Sequence, residues 1–372
     1  MKLLTVVGAR PQFIKAAAVS RAIASLPGHP VHEVLVHTGQ HHDENMSKVF
    51  FDELGIDVPD HHLAIAGGGH GVMTGRMLQA LEPVMLAERP DWVLVYGDTN
   101  STLAGALVGA KLHIPVAHVE AGLRSFNMRM PEEINRAVTD RISDLLLCPT
   151  DAALGNLAAE GHHSGAHLVG DVMFDVALRF QEQAEMRSST LADLGLQAGG
   201  YALATCHRAE NTDDPMRLRA IFTALGRLAQ EFDVVLPLHP RTRKIAEAQS
   251  LLVLLGSVRI VEPLSYLDMV ALERSARLIL TDSGGVQKEA FFYKVPCLTF
   301  RDETEWVETV SMGWNRLVAA DAEIIIEAAM RACPPVAGMD QAPEPYGDGH
   351  AAEAIVHLLR SETPTHFARK PS

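Results

Sequence analysis

Residues 1–24 read MKLLTVVGARPQFIKAAAVSRAIA, and this stretch contains the pattern that decides the fold. Residues 3–7 form a continuous apolar run, which is typical of a parallel strand covered on both faces. A polar turn follows, and residues 11–24 have the apolar spacing of an amphipathic helix. Pro11 suits the first turn of that helix, because proline lacks the N–H that would have no partner there. A strand, a turn and a helix in this order predict the first unit of an α/β sheet.

The same alternation continues along the chain. Further strand-like runs occupy residues 34–37, 92–96, 116–119, 145–148, 167–169, 201–205, 234–238, 258–261, 278–281 and 297–300, with helical patterns between them. A length of 372 residues suits two domains, each able to bury its own core. We therefore predict a doubly wound α/β architecture in two Rossmann-like domains, with a boundary after residue 171.

Composition excludes several classes of protein. The formal net charge of −14 argues against a nucleic-acid binder, which needs a basic surface. Because the N-terminus lacks the features of a signal peptide and no apolar run approaches the roughly 20 residues that span a bilayer, we expect a soluble, cytoplasmic protein without membrane insertion. The four cysteines form no CxxC pair and the histidines no HExxH, so we predict neither a disulfide framework nor a metal site.

Polar clusters follow the predicted strands repeatedly, in both halves of the chain. They occupy residues 8–15, 97–99, 120–124, 206–211, 239–241, 282–285 and 301–304. In open α/β sheets ligands bind outside the carboxyl ends of the strands. Seven clusters at equivalent ends therefore predict one ligand cleft between two facing domains.

Two of these clusters have the features of an anion site. Arg10 and Lys15 surround a predicted helix start, whose N–H groups and dipole favour negative charge. Ser283 is a plausible N-cap, and Gly284 and Gly285 let backbone amides approach a diphosphate closely. Neither cluster is a Walker loop or a GxGxxG fingerprint. Solvated surface cations and simple helix capping remain the alternative interpretations.

The helix that begins near Glu132 carries an acid and a base. Glu132 and Arg136 are spaced i and i+4, so they share one helix face, whereas Glu133 points about 100° away. If Arg136 faces a phosphate, the carboxylate beside it is predicted to be Glu132. The alternative is a surface ion pair worth less than about 1 kcal/mol.

Together these motifs resemble those of the bacterial UDP-N-acetylglucosamine 2-epimerases. The motifs are GARPQFIK (8–15), GDTNST (97–102), HVEAGLRS (118–125), MPEEINR (130–136), HRAEN (207–211), HPRT (239–242) and TDSGGVQKEA (281–290). The resemblance extends from Gly8 to about Trp314, and the ordered set is highly specific. It implies the GT-B fold, with domains at residues 1–171 and 172–355 and a C-terminal helix, 356–372, that crosses back to the first domain. It also implies a homodimer that needs no nicotinamide or metal and that supplies polysaccharide synthesis.

The family's chemistry is elimination of UDP to a glycal, followed by re-addition with the C2 proton delivered to the other face. Its catalytic residues match Asp98, Glu120, Glu132 and His207. Its phosphate and sugar contacts match Arg10, Lys15 and Arg136, its diphosphate loop Ser283, Gly284 and Gly285, and its ribose contact Glu289. A uracil pocket is expected near Leu264 and Met269. His239 and Arg301, which also follow strands, complete the predicted substrate-binding set.

Two departures from the family's pattern bear on the substrate. The loop that binds an activating UDP-sugar in many members reads Gln40-His41-His42-Asp43 here, and Asp43 would repel a diphosphate. An allosteric site at Gln40, His41 and Arg76 is therefore doubtful. The common TERPE run appears as TEWVE at residues 304–308. Both changes resemble relatives that epimerise UDP-2,3-diacetamido uronic acids, so the substituents at C3 and C6 stay open.

Three other functions remain as alternatives. A hydrolysing epimerase shares most motifs and releases N-acetylmannosamine and UDP. A GT-B glycosyltransferase shares the fold and the UDP site, although three acids fit elimination better. A catalytically silent UDP-sugar sensor is the third.

Overall fold

The structure is a computed structural model that describes residues 1–28, 30–40, 55, 57–162, 164–331 and 344–362. Contacts divide the chain into two units, Met1–Val176 with Glu344–Ser372, and Ala177–Pro343. The division falls at Val176 and Glu344, and the domain bounds of 171 and 355 expected from the sequence stay a prediction. Among the described residues, no helix combines the length and the apolar character needed to cross a membrane.

The first unit contains a seven-stranded parallel sheet. Its strands are β1 (Lys2–Val7), β2 (His32–His37), β3 (His61–His62), β4 (Trp92–Tyr96), β5 (Val116–Val119), β6 (Leu145–Cys148) and β7 (Ala166–Leu168). Its helices are α1 (Arg10–Ala24), α2 (His70–Glu88), α3 (Asn100–Lys111), α4 (Pro131–Ile142) and α5 (Asp151–Ala159). The strand order is β3-β2-β1-β4-β5-β6-β7. This is the doubly wound order, in which the connections reverse direction between β1 and β4.

The second unit repeats the same topology with six parallel strands. They are β8 (Tyr201–Thr205), β9 (Asp233–Pro237), β10 (Arg259–Val261), β11 (Leu278–Thr281), β12 (Cys297–Thr299) and β13 (Asn315–Leu317). The helices are α6 (Val172–Arg187, which begins in the first unit), α7 (Thr190–Asp193), α8 (Ala209–Thr212), α9 (Pro215–Leu228), α10 (Pro240–Ala248), α11 (Tyr266–Ser275), α12 (Gly284–Phe292), α13 (Val307–Ser311) and α14 (Ala322–Arg331). The order β10-β9-β8-β11-β12-β13 places its reversal between β8 and β11.

The central strands are buried on both faces, as their apolar sequences predict. Leu4, Val6, Val93 and Val95 have no exposed surface and pack in one core cluster of the first unit. Each such side chain contributes roughly 1.5–3 kcal/mol of burial free energy. The strands therefore form a rigid frame, and their carboxyl ends hold the loops in fixed positions.

The helix near the C-terminus belongs to the first unit. This helix, α15 (Ala351–Ser361), packs against α1. The Asp175 carboxylate accepts hydrogen bonds from the backbone N–H groups of Ala351 (3.1 Å) and Ala352 (2.7 Å). Two otherwise unpaired N–H groups at the helix start are thereby satisfied. A carboxylate on α6 thus fixes the start of the returning helix.

Candidate active site

The predicted catalytic residues and the predicted diphosphate turn lie in or next to loops near the point where each sheet reverses its connections. In the first unit these are the loops after β1, β4 and β5, and in the second unit the loops after β8 and β11. This position is where open α/β sheets bind ligands.

Gln12 joins the first two loops of the first unit. Its Oε1 accepts hydrogen bonds from the N–H groups of Gly8 (2.8 Å) and Ala9 (3.1 Å). Its Nε2 donates to the carbonyl of Tyr96 (2.7 Å) and to Thr102 Oγ1 (2.9 Å). A side chain from the first turn of α1 thus fixes the loop after β4. In the sequence this position has only the signal of a polar helix residue, so Gln12 was not among the predicted site residues.

Lys15 and Glu120 form an ion pair beside Gly97. Glu120 is buried at the end of β5, and the Lys15 ammonium contacts its carboxylate. A Cβ placed on Gly97 would lie 3.1 Å from Glu120 Oε2 and 3.5 Å from Lys15 Nζ. Glu120 itself has a φ of 69°, a left-handed conformation that is strained for a residue with a Cβ. The structure therefore holds this predicted catalytic acid in an enforced geometry.

Arg136 connects Asp98 to helix α4. Its guanidinium lies 2.6 Å from Asp98 Oδ2 and also pairs with Glu133, and the arginine side chain is almost fully buried. Asn135 supports the same loop, since its Nδ2 donates to the Asp98 carbonyl (2.8 Å). The Asp98 side chain remains 31% exposed, so it is ion-paired with Arg136 and still accessible.

The prediction that Glu132 is the carboxylate beside Arg136 is wrong, because Glu133 occupies that place. Glu133 is buried and accepts hydrogen bonds from the N–H groups of Ser125 (3.0 Å) and Phe126 (2.9 Å). Residues spaced i and i+3 are as close on a helix as those spaced i and i+4, and these loop N–H groups select Glu133. Glu132 lies in the first turn of α4, partly exposed, and forms no ion pair with any residue the structure describes.

In the second unit, a buried carboxylate organises the loop that carries His207. Asp282 is fully buried and accepts hydrogen bonds from the N–H groups of His207 and Arg208, both at 3.0 Å from its Oδ2. The Asn211 side chain donates to the same oxygen (3.1 Å). His207 Nδ1 lies 3.4 Å from Asp282 Oδ1, and its side chain is 46% exposed. Asp282 therefore orients a ring that is open to a ligand. Its place directly before Ser283 was the only sequence signal.

The turn before α12 has the predicted cap. Ser283 Oγ accepts a hydrogen bond from the Val286 N–H (3.4 Å), which confirms Ser283 as the N-cap. A Cβ on Gly284 would lie 2.7 Å from Glu305 Oε1 and 3.3 Å from Trp306 Nε1, so a larger residue there would displace the Glu305 carboxylate. Glu305 is also 2.9 Å from Arg301 Nη1. Arg301 is thus buried beside a carboxylate that borders the turn.

Glu289 lies further along the same helix and is nearly buried. Its Oε1 accepts a hydrogen bond from the Tyr266 hydroxyl (3.0 Å). Burial and the Glu289 carboxylate hold the pKa of Tyr266 well above its usual range, so the phenol remains a donor. Glu289 Oε2 lies 3.9 Å from the place of a Cβ on Gly285, next to the turn. Leu264 and Met269 are partly buried and pack against the adjacent core cluster.

The remaining predicted residues take varied positions. Arg10 begins α1 and is partly exposed, whereas Arg76 is exposed on α2. His239 caps α10, since its Nδ1 accepts a hydrogen bond from the Arg241 N–H (3.2 Å). Gln40 accepts hydrogen bonds from the N–H (3.0 Å) and hydroxyl (2.8 Å) of Ser101. His41 lies outside the described residues, as do His42 and Asp43. Within the described ranges, no three His, Cys, Asp or Glu side chains are grouped to hold a metal ion.

Comparison with known proteins gives one consistent result. A family model described as UDP-N-acetylglucosamine 2-epimerase matches residues 25–360. The UDP-2,3-diacetamido-2,3-dideoxy-D-glucuronate 2-epimerase of Pseudomonas aeruginosa is 53% identical over 96% of this chain and 99% of its own length. The Methanocaldococcus jannaschii enzyme solved with UDP-GlcNAc and UDP has a TM-score of 0.90 at 42% identity, covering 97% of this chain and 100% of that one. The Neisseria meningitidis enzyme bound to UDP-GlcNAc has a TM-score of 0.88 at 31% identity, with the same coverage.

The fold agrees with these matches. The chain contains two doubly wound parallel sheets, and the two solved relatives superpose on it with TM-scores of 0.90 and 0.88. The GT-B class predicted from the sequence is thereby confirmed. The chain belongs to the UDP-N-acetylglucosamine 2-epimerase family, a family of isomerases.

Proposed function

We propose that this protein inverts C2 of a UDP-linked 2-acetamido sugar and returns the product with UDP still attached. The observation that carries the proposal is the set of three carboxylates at one edge of the first sheet. Glu120 and Asp98 are each held by a buried or half-buried cation, and Glu132 stays partly exposed. Such a set offers proton donors and acceptors at more than one position around a sugar ring.

The chemistry requires this arrangement because C2 is not adjacent to a carbonyl. Direct removal of the C2 proton would leave an unstabilised carbanion. Elimination avoids it: a base takes the C2 proton, the C1–O bond breaks, and UDP leaves with the bonding electrons. The glycal that remains is attacked at C1 by UDP, and a proton is delivered to the other face of C2. No net oxidation or hydrolysis occurs.

In this proposal the first unit supplies the acid/base groups. Glu132 is the leading candidate for proton transfer at C2, since it is partly exposed and no described cation pairs with it. Asp98 and Glu120 are assigned to proton transfer at the other face of C2 and to orientation of the sugar ring. Lys15, Arg136 and Arg10 are the proposed cationic contacts to the sugar and its phosphate. Opposite charges within about 4 Å favour the ionised form of a carboxylate, which suits a base.

The second unit supplies the UDP contacts. The N-terminus of α12, with Ser283, Gly284 and Gly285, is proposed to bind the diphosphate through backbone N–H groups. Glu289 accepts hydrogen bonds from the ribose diol, and the exposed His207 ring donates to the departing phosphate. Stabilisation of the leaving diphosphate lowers the barrier to C1–O cleavage.

UDP-2,3-diacetamido-2,3-dideoxy-D-glucuronate is the first candidate substrate. The relative that acts on it by name is 53% identical, and the TEWVE departure lies at the site. Trp306, where the family commonly has arginine, borders the Gly284 turn and stacks on Lys288, whose Nζ lies 3.9 Å from the ring centroid. UDP-N-acetylglucosamine is the second candidate, supported by the Methanocaldococcus relative of that name at 43% identity.

Proton NMR in heavy water tests the proposal. The purified protein is incubated separately with each UDP-sugar. We expect the C2 epimer to appear, still linked to UDP, with deuterium at C2 in both epimers. Release of free sugar and UDP would support a hydrolysing enzyme instead. Unchanged spectra with both compounds would refute the proposed function.

We further propose a cytoplasmic homodimer. Ile134 and Val138 lie one turn apart on α4 and are 43% and 38% exposed, which leaves an apolar strip that a second copy can cover. Light scattering should therefore give twice the chain mass of 40.4 kDa. A monomeric mass at micromolar concentration would contradict this part of the proposal.

A further inference from the structure

A buried histidine lies beneath two of the proposed catalytic loops. His118, in β5, has no exposed surface. Its Nδ1 is 2.7 Å from Asp140 Oδ1, and its Nε2 is 2.7 Å from the carbonyl oxygen of Gly97. A carbonyl only accepts hydrogen bonds, and so does an ionised carboxylate. The ring therefore makes a hydrogen bond through each nitrogen and bridges Asp140 to the Gly97 carbonyl.

Asp140 is the carboxylate on which this arrangement depends. It is fully buried in α4, and its Oδ2 accepts hydrogen bonds from the Gly122 N–H (3.1 Å) and pairs with Arg124 Nη1 (2.7 Å). Burial alone would raise the pKa of Asp140, but the charges and hydrogen bonds of His118 and Arg124 outweigh it and hold that pKa below its usual value. Asp140 thus stays ionised inside the unit.

Asp140 acts on two proposed catalytic residues indirectly, because it has no exposed surface and contacts only their neighbours His118 and Gly122 on this side. His118 and Gly122 flank Glu120, so Asp140 holds the chain on both sides of a residue whose φ is 69°. His118 also holds the Gly97 carbonyl, and Gly97, with a φ of 61°, leads directly into Asp98. A strained backbone persists only where its surroundings determine it.

A second carboxylate provides a comparison within the same network. Glu160 forms a two-point contact with Arg124, at 2.7 Å from both Nε and Nη2, and its side chain is 39% exposed. It touches Arg124 on the side away from Asp140 and makes no described hydrogen bond to the loops at Gly97 or Glu120. Loss of Glu160 therefore perturbs the ion pairs of the network but leaves the His118 bridge intact.

We propose that Asp140 is a positioning residue for the epimerisation: through His118 and Gly122 it fixes the backbone that presents Asp98 and Glu120. This inference rests on the proposed function. Asp140→Asn removes the charge while retaining the shape of the side chain. Because the carboxylate that faces His118 Nδ1 is lost, the Gly97 bridge weakens and both acids lose their fixed positions.

Steady-state kinetics of Asp140→Asn and of the matched control Glu160→Gln test the role. We expect Asp140→Asn to lower kcat at least tenfold with KM changed less than threefold, and Glu160→Gln to keep kcat within twofold. UDP affinity, measured by calorimetry, should be unchanged in both, since the proposed diphosphate turn and ribose contact lie in the other unit. Equal kcat values for the two variants would overturn the positioning role. A wild type inactive on both UDP-sugars would instead refute the proposed function.

A measurement on the unmodified protein keeps the inference testable even if Asp140→Asn does not fold. Nitrogen-15 NMR with labelled histidine reports whether each ring nitrogen carries a proton, and His118→Gln assigns the resonances by their loss. We expect both His118 nitrogens to carry slowly exchanging protons, since each faces an acceptor oxygen. A neutral ring with one bare nitrogen would overturn the bridge to Asp140 and Gly97.

Discussion

The Asp282 carboxylate offers a sharp test of how the second unit presents its histidine. Asp282→Asn keeps the size of the side chain but removes its charge. The amide oxygen can take the place of Oδ2, where the N–H groups of His207 and Arg208 and the Asn211 amide converge. The amide nitrogen then takes the place of Oδ1, facing the His207 N–H at 3.1 Å and Nδ1 at 3.4 Å.

The expected magnitudes follow from these contacts. A hydrogen bond to a charged group contributes about 1.5–3 kcal/mol, and a neutral one about 0.5–1.5 kcal/mol. Each of the three hydrogen bonds to Oδ2 thus loses about 1–1.5 kcal/mol, which lowers the free energy of unfolding by about 3–4.5 kcal/mol in total. The ring also loses the carboxylate that faces Nδ1. A loss of about 1.5–3 kcal/mol in the transition state corresponds to a roughly 10–150-fold lower kcat.

Tyr201→Phe is the matched control for the loss of stability. The Tyr201 hydroxyl is buried in the same unit and donates only to the Leu272 carbonyl (2.6 Å), away from the His207 loop. Its removal should cost about 1 kcal/mol of stability without changing kcat. Denaturant unfolding gives the stabilities, and the NMR assay gives kcat. If Asp282→Asn kept the kcat of wild type, orientation of His207 by Asp282 would play no part in turnover.

Three further changes probe other parts of the molecule. Glu132→Gln should lower kcat by at least 100-fold with UDP affinity unchanged in calorimetry; a variant with full turnover would remove Glu132 from proton transfer. Gly284→Ala places a Cβ 2.7 Å from Glu305 Oε1, so UDP affinity should fall about tenfold or more, and unchanged affinity would exclude this turn as the diphosphate site. Asp175 has its pKa raised to about 6 by burial, against the hydrogen bonds from Ala352 and Ala351, so the folded protein holds this proton more tightly than the unfolded chain. The free energy of unfolding of wild type should therefore fall relative to that of Asp175→Asn as the pH rises from 4 to 6, by at most about 2 kcal/mol. Denaturant titrations at each pH measure this difference, and a difference that stays constant would contradict the raised pKa.

The frame of the fold could be predicted from the sequence because buried parallel strands are written as apolar runs. Residues 92–96, 116–119, 145–148, 201–205 and 278–281 have the same bounds in the structure as in the prediction. Two strands were missed, His61–His62 and Asn315–Leu317, because they are short and polar. Both are the outermost strands of their sheets. They are strands because they pair with a neighbouring strand, and their own residues carry no apolar run that would predict one.

The candidate site was predictable in its location but only partly in its contacts. Asp98, His207 and Ser283 could be located because they follow predicted strands or begin a predicted helix. The carboxyl end of a strand and the start of a helix can both be read from the sequence. The helix period could not choose between Glu132 and Glu133 as the partner of Arg136, because the choice depends on loop N–H groups at Ser125 and Phe126. Hydrogen bonds between distant segments, such as those of Gln12, have no local signature.

Each unit contains a fully buried aspartate that fixes a loop after a strand and faces a histidine ring. Asp140 in the first unit and Asp282 in the second are both fully buried, and each accepts backbone N–H groups from a loop that follows a strand. Each also faces a histidine ring nitrogen, His118 or His207. The difference is exposure: the His118 ring is enclosed and its second nitrogen holds backbone, whereas the His207 ring is open. One buried acid therefore fixes the geometry of other acids, and the other presents a proton donor to a ligand. Removing either charge should reduce turnover, but only the change at Asp282 should also alter contacts to UDP.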